Sequence, residues 1–182
     1  MSQPLVFIVE GLSKGSSGTV SSQNFQGIKT PFYTIQPSPS KKSNLAITRA
    51  TPEASQVGTI QFHTLSSKME LVLSYETVSM RHDELTGSRH EFTSPIFRGD
   101  KMAWKEDSMF GHGVKLVSPD GQLLARFRRT DKAAGTGSIE VFIPAEGELL
   151  DLILVSGIAA AEYRRRSNIE LESVGDVLGQ FL

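Results

Sequence analysis

The chain has 182 residues and no cysteine, and it carries 19 Lys and Arg against 20 Asp and Glu. This length predicts a single domain, large enough to bury a core without a disulfide or a metal. The lack of cysteine excludes thiol catalysis, thiolate metal sites and disulfides. A net charge of −1 argues against a molecule-wide nucleic-acid surface, so no nucleic-acid partner is expected.

The N-terminal segment predicts a strand and not a targeting signal. Residues 5–9 are apolar, but they are too few for a signal peptide and no basic region precedes them. The longest apolar stretch, residues 149–161, is shorter than the about 20 residues of a membrane-spanning helix. We therefore expect a cytoplasmic protein.

Short alternating or apolar segments predict about ten strands between residues 5 and 143. In chain order they are residues 5–9, 32–35, 45–49, 57–62, 69–79, 91–92, 96–97, 102–104, 114–117, 123–127 and 139–143. Loops are predicted at 13–22, 36–43, 81–88 and 133–137. Asp120-Gly121 between two apolar runs predicts a β-hairpin.

The pattern changes to helical after Pro144. Residues 146–165 predict one helix, about 30 Å long, with Glu146 near its start and Arg164, Arg165 and Arg166 at its end. Because this helix is apolar on nearly all sides, it is expected to be buried on nearly all sides. Residues 167–182 predict a tail, either a short amphipathic helix packed against the body or a frayed end.

Strands followed by one buried helix predict a mainly β, α+β fold. A closed antiparallel barrel around the helix would cover its apolar surface and leave no strand edge exposed. We predict one such domain over residues 1–166, with the tail outside it.

Three segments resemble a known superfamily: Val57-Gly58-Thr59-Ile60-Gln61-Phe62, residues 118–127 and, above all, residues 149–166. The chain resembles the tubby C-terminal domain, the phospholipid scramblases and the plant LURP-one-related proteins, and it looks most similar to small tubby-like proteins of fungi. The resemblance implies about twelve strands around a central C-terminal helix. It also implies binding of phosphoinositide head groups by Lys and Arg on the barrel exterior, although no individual lipid-binding residue transfers by position.

Two basic clusters are candidate phosphate sites from their charge. The first contains Arg98, Lys101 and Lys105, and its two lysines are expected on one strand face, about 7 Å apart, where they could hold a phosphate. Met102 and Trp104 would face the core. The alternative is a solvated face neutralised by Glu106 and Asp107.

The second cluster contains Arg128, Arg129 and Lys132, followed by Gly135-Thr136-Gly137. Backbone amides of such a loop can hold an anion. The alternative is a hairpin loop with exposed charges.

The sequence predicts no catalytic residues, no metal site and no cofactor. The four histidines, His63, His82, His90 and His112, lack metal-binding spacing, and no nucleophile elbow is present. We therefore predict a non-enzymatic module that binds anionic phospholipid or phosphoinositide head groups, with a peripheral membrane location. The alternative is a protein-interaction or structural module without a small ligand, which uses the tail or the Pro- and Ser-rich loops.

Overall fold

The computed structural model describes residues 3–12, 17–38, 41, 44–63, 67–83, 89–107, 113–131 and 135–179, the last twelve as backbone only. Twelve strands and one long helix account for most of these residues. The strands are β1 (Leu5–Glu10), β2 (Gly18–Gln23), β3 (Lys29–Pro37), β4 (Leu45–Arg49), β5 (Gln56–Phe62), β6 (Lys68–Leu73), β7 (Thr77–His82), β8 (Arg89–Thr93), β9 (Lys101–Asp107), β10 (Gly113–Val117), β11 (Leu123–Asp131) and β12 (Thr136–Val141). The helix, α1, is Gly147–Gly179.

The strands form a closed antiparallel barrel in which each strand pairs with its chain neighbours, and β1 pairs with β12 to complete the ring. The alternation of buried and partly exposed residues explains why these segments form strands. β6 and β12 bury every second residue, as expected for a sheet with one face on a core. Closure leaves no unpaired edge among these strands. The predicted barrel of about twelve strands around a C-terminal helix is confirmed.

Three predicted elements were wrong in detail. Of the predicted loop 13–22, residues 18–22 belong to β2, whose Ser- and Gly-rich sequence shows little periodicity and which lies between β1 and β3. Residues 13–16 lie outside the described residues. Residues 69–79 form two strands, because the chain reverses after Leu73, whose backbone N–H donates to the Glu76 carbonyl at 2.8 Å. Residues 96–97 belong to a 3-10 helix, Pro95–Phe97. The hairpin at Asp120-Gly121 is confirmed.

The helix starts one residue later than predicted and extends well beyond the predicted end. Gly147 has a φ of 55°, a conformation that favours glycine, and it turns the chain into the barrel. The predicted end at residue 165 was wrong, because α1 continues to Gly179 and Arg164–Arg166 lie within it. Among the described residues, no helix is both long enough and apolar enough to cross a membrane.

The buried part of α1 fills the barrel. Every residue from 150 to 162 is buried, as predicted for a helix that is apolar on nearly all sides. A Cβ on Gly157 would lie 3.0 Å from two ring atoms of Trp104, so the large indole requires a glycine there. The indole nitrogen of Trp104 donates to the Ser156 hydroxyl at 2.9 Å.

The barrel has two openings. At the lower opening α1 enters, next to the short turn between β6 and β7 and the hairpin between β10 and β11. At the upper opening α1 leaves, next to Gly113 and the upper ends of β9 and β11. The two openings and the outer wall of the barrel are therefore separate surfaces on which a site could lie.

Candidate anion-binding surfaces

A row of four basic side chains crosses the outer wall of the barrel from β8 to β11. Its members are Arg89, Lys105, Lys115 and Arg126, and each is directly paired in register with the next. Adjacent strands lie about 4.8 Å apart, so the row is about 14 Å long. We call these four residues the basic row.

The two ends of the basic row are neutralised and its centre is not. Arg89 pairs with Asp83 at 3.0 Å and with Glu91 at 3.1 Å. Arg126 pairs with Asp107 at 2.6 Å. Lys105 and Lys115 form no ion pair with any residue that the structure describes, and both are partly exposed. Two neighbouring ammonium groups without a carboxylate between them repel each other, and an anion would relieve the repulsion.

The structure separates the first predicted cluster. Lys101 and Lys105 both face outward on β9, with Met102 and Trp104 in the core, as predicted. The expected separation of about 7 Å was wrong, because four residues of strand span about 13 Å. Lys101 instead pairs with Glu91 at 3.0 Å.

Arg98 lies apart from both lysines, at the lower opening. It has a φ of 57° and ends the 3-10 helix, and its backbone N–H donates to the Pro95 carbonyl at 2.8 Å. The backbone of Arg98 thus has a local structural role, while its side chain is exposed.

The second predicted cluster is divided between two surfaces. Arg128 lies on the outer wall, where it pairs with Glu140 at 3.2 Å. Arg129, the next residue, is near Glu162 and Arg165 at the upper opening. Lys132 lies outside the described residues. The predicted anion loop was wrong at Thr136 and Gly137, because both belong to β12 and pair with β11.

Charged groups surround α1 at the upper opening. Glu162 is buried and accepts hydrogen bonds from Arg165 at 2.7 Å on both carboxylate oxygens and from Arg166 at 2.8 Å. Arg164 pairs with Glu106 at 2.7 Å and donates to the Gly113 carbonyl at 3.0 Å. Burial, and then the neighbouring Arg165, lower the pKa of Arg129.

Two histidines also face the upper opening. His82 and His90 are cross-strand partners, and their rings lie 4.7 Å apart and contact Tyr163 of α1. His90 is 2% exposed, and burial lowers its pKa to about 3, so its imidazole is neutral at physiological pH. Within the described residues, no group of three or more His, Cys, Asp or Glu could hold a metal ion; His112 lies outside them.

A buried polar group anchors α1 at the lower opening. Asp151 is 5% exposed; it accepts a hydrogen bond from the Tyr33 hydroxyl and pairs with Arg49 at 2.6 Å. Burial and the Asp151 carboxylate raise the pKa of Tyr33 far above its ordinary value. Both oxygens of Asp151 are occupied by protein groups, so the arrangement holds the helix in place.

Sequence reasoning missed Lys115 and gave the arginines of α1 a different role. Lys115 alternates with inward-facing Val114 and Leu116, which identifies it as an outward residue. Its contact with Lys105 depends on the register between β9 and β10, which no local signal reveals. Arg164–Arg166 were expected to end the helix, and the structure uses them in ion pairs at the upper opening.

Comparison with protein-family models shows to which family this chain belongs. Residues 17–167 match the model of a family of unknown function, DUF6593, which spans β2 to the buried part of α1. The chain therefore belongs to the DUF6593 family. No curated protein and no solved structure matches it.

Proposed function

We propose that this DUF6593 chain is a non-enzymatic module that binds the phosphate groups of anionic phospholipids, phosphoinositides included, on the basic row. The observation that carries the proposal is the pair Lys105 and Lys115, which are adjacent on the outer wall and lack an acidic partner among the described residues. Such binding would bring the protein to a membrane surface as a peripheral protein.

The chemistry of the pair suits a phosphate. Two lysine ammonium groups from directly opposed positions can donate charge-assisted hydrogen bonds to one phosphate group. Arg89 and Arg126 flank the pair and extend the positive surface, although their own carboxylate partners weaken their contribution. The chain as a whole has a net charge of −1, so the attraction would be local to this wall.

The architecture gives independent support. A twelve-strand barrel around a C-terminal helix is the arrangement that the tubby-like resemblance implies, and the tubby branch binds phosphoinositides through basic residues on the barrel exterior. We include membership of that superfamily in the proposal. Because α1 fills the barrel, a binding site on the outer surface is favoured over an internal substrate cavity.

Vesicle sedimentation tests the proposal. Vesicles with a phosphoinositide in a neutral lipid background should bind the protein at low salt and bind it less at physiological salt. Lys105→Glu with Lys115→Glu should weaken binding by at least roughly thirtyfold, because each basic residue near an anionic surface contributes about 1 kcal/mol.

The control is Lys29→Glu with Lys41→Glu, which changes the net charge equally at the start of β3 and in the connection between β3 and β4. It should bind nearly as well as the wild type. Equal losses in the two double variants would show that binding follows net charge and not the basic row. Absence of binding by the wild type at low salt would overturn the proposal.

One observation favours a second candidate, a protein-interaction module. Phe25, in the turn between β2 and β3, is 85% exposed, and Ile28 is 56% exposed. Hydrogen bonds within the turn hold its shape, because the Asn24 side chain accepts from the backbone N–H groups of Gln26 at 3.0 Å and Ile28 at 2.9 Å. A fixed, exposed aromatic residue is a typical anchor for a partner protein.

The second candidate has its own test. Phe25→Ser with Ile28→Ser should leave the free energy of unfolding within about 0.5 kcal/mol of the wild type, because both side chains are exposed. If the protein self-associates through this turn, the solution mass of the variant should fall to that of a monomer. Binding to vesicles should not change.

A further inference from the structure

Two histidines face each other inside the upper opening of the barrel. His82 of β7 and His90 of β8 are direct partners in the antiparallel register. Met80 and Phe92, each two residues away on the same strand face, are buried in the core, so both histidines also point inward. The two imidazole rings therefore occupy the uppermost layer of the barrel interior, with their centres 4.7 Å apart.

Each of these imidazoles has a buried nitrogen without a hydrogen bond. The Nδ1 atom of His82 and the Nε2 atom of His90 have no hydrogen-bond partner in the part of the chain that the structure describes. Buried polar atoms are normally satisfied by protein groups, by water or by an ion. A neutral imidazole nitrogen is a common ligand for transition metals. The pair therefore places two candidate ligand atoms together, one of them on a side chain that is 2% exposed.

The separation of the rings suits coordination of one ion by both. With metal–nitrogen bonds of about 2.0–2.1 Å and bond angles of about 90–109°, two imidazoles on one ion have ring centres about 4.5–5.2 Å apart. The observed 4.7 Å lies within this range, and the ring planes are inclined by 42°. The torsion about the Cβ–Cγ bond of histidine has broad minima, so the rings can turn their nitrogens to one point without movement of the strands.

The surroundings of the pair support it on one side and leave it accessible on the other. The Tyr163 ring of α1 contacts both imidazoles, at 5.4 Å from His82 and 4.8 Å from His90. The charge of Arg164, which acts on His90, is matched by Glu106 at 2.7 Å. His82 is partly exposed, so an ion can reach the pair from the opening.

We propose that His82 and His90 bind one divalent transition-metal ion, such as Zn²⁺ or Cu²⁺, at the upper opening, with solvent in the remaining coordination positions. Imidazole suits Zn²⁺ and Cu²⁺, whereas Mg²⁺ and Ca²⁺ prefer oxygen ligands. Two protein ligands make this a weaker site than a closed zinc site with four, and it differs from the groups of three or more His, Cys, Asp or Glu that the described residues lack. The bound ion would join β7 to β8 where α1 leaves the barrel. The inference does not depend on the basic row, which lies on the outer wall.

Nitrogen NMR of the full chain tests the site without any substitution. In chelator-treated protein, Zn²⁺ should shift the ring-nitrogen resonances of His82 and His90 at lower concentrations than those of His63, which is exposed on another part of the barrel. Mg²⁺ at equal concentration should shift neither pair of resonances. Unchanged resonances of His82 and His90 in an excess of Zn²⁺ would overturn the proposal.

Calorimetry and thermal unfolding measure the contribution of each histidine. Zn²⁺ at about one hundred times its Kd should raise the Tm of the wild type by about 5 °C. His82→Phe and His90→Phe should each remove this rise and weaken Zn²⁺ binding at least about tenfold, because each variant loses a ligand and keeps an aromatic ring beside Tyr163. The matched control His63→Phe should keep the rise. A rise that survives both His82→Phe and His90→Phe would contradict the assignment.

The electron paramagnetic resonance spectrum of one equivalent of Cu²⁺ distinguishes a ligand role from an effect on folding. In the wild type it should show coupling to two imidazole nitrogens, and in a folded His90→Phe variant the coupling should fall to one. A wild-type spectrum with oxygen ligands alone would exclude the site. Lys105→Glu with Lys115→Glu should leave the spectrum unchanged, so failure of the basic row is distinguishable from failure of the histidine pair.

Discussion

The two ends of the buried helix segment use charge in opposite ways. At the lower opening, the buried carboxylate of Asp151 accepts hydrogen bonds from the Tyr33 hydroxyl and from Arg49, so the charges of this buried group balance. At the upper opening, Glu162 is shared by two arginines and a third cation, Arg129, has no acidic partner among the described residues. A balanced group of this kind stabilises a fold, whereas cations outnumber carboxylates among the described residues next to Glu162.

The largest expected effect lies at the balanced lower end. Asp151→Ala would leave Arg49 and the buried Tyr33 hydroxyl without their partner, and it should lower the free energy of unfolding by about 3–5 kcal/mol. Urea unfolding followed by the fluorescence of Trp104, the single tryptophan, measures this. The control Glu148→Ala, exposed in the first turn of α1, should cost less than about 0.5 kcal/mol. A loss below about 1 kcal/mol for Asp151→Ala would contradict an anchoring role.

A smaller effect is expected midway between the two ends. Gly157→Val would place methyl groups against the Trp104 ring and should cost about 1–3 kcal/mol through overpacking. The same urea unfolding experiment measures this cost in the free energy of unfolding. In variants that lack Trp104, circular dichroism or tyrosine fluorescence replaces tryptophan fluorescence as the signal. In a Trp104→Phe background the cost of Gly157→Val should be lower, because the smaller ring leaves room. Additive costs would show that the two residues do not contact each other.

The most gradual effect is a pH dependence at the upper end, because the loss of stability is spread over several pH units. The pKa of His90 is about 3 in the folded protein, below its ordinary value of about 6.5. The unfolded chain therefore takes up a proton at His90 first, and stability should fall as pH decreases from about 6.5 toward 3, by up to about 1.4 kcal/mol per pH unit.

His90→Phe tests this directly, because phenylalanine keeps an aromatic ring beside Tyr163 and cannot be protonated. Urea unfolding between pH 7 and pH 4 should show a shallower loss of stability for the variant than for the wild type. The control His63→Gln replaces an exposed histidine and should leave the steep loss in place. Parallel curves for the wild type and His90→Phe would rule out this titration.

The sequence predicts the architecture because two periodicities dominate it. Strands with alternating burial, such as β12, and a helix without a polar face together require an enclosing sheet. β2 was not predicted from the sequence, because it forms through pairing with β1 and β3 and not through an apolar pattern of its own. The division of residues 69–79 was missed because Ser74, Tyr75 and Glu76 continue the alternation through the turn.

The candidate sites were predictable in part. Lys105 was placed correctly on the outer wall, but the position of Lys115 beside it follows from the register between β9 and β10, which no local pattern of the sequence gives. Arg128 and Arg129 could have been separated, since Phe127 marks the inward positions of β11. The proximity of Arg129 to Arg165 could not be predicted, because it depends on where α1 lies inside the barrel. The periodicity of the sequence does not give that position.

The pairing of β1 with β12 has a consequence for the order of folding. β1 is synthesised about 130 residues before its partner β12. At a synthesis rate of roughly 5–20 residues per second, β1 remains unpaired with β12 for several seconds or more. Until then the sheet has two open edges, and the helix that fills it has not yet been made. Contacts this distant in the chain also slow folding. The nascent chain therefore passes through an incomplete sheet that exposes unpaired strand edges and apolar side chains, and we expect chaperones to bind it.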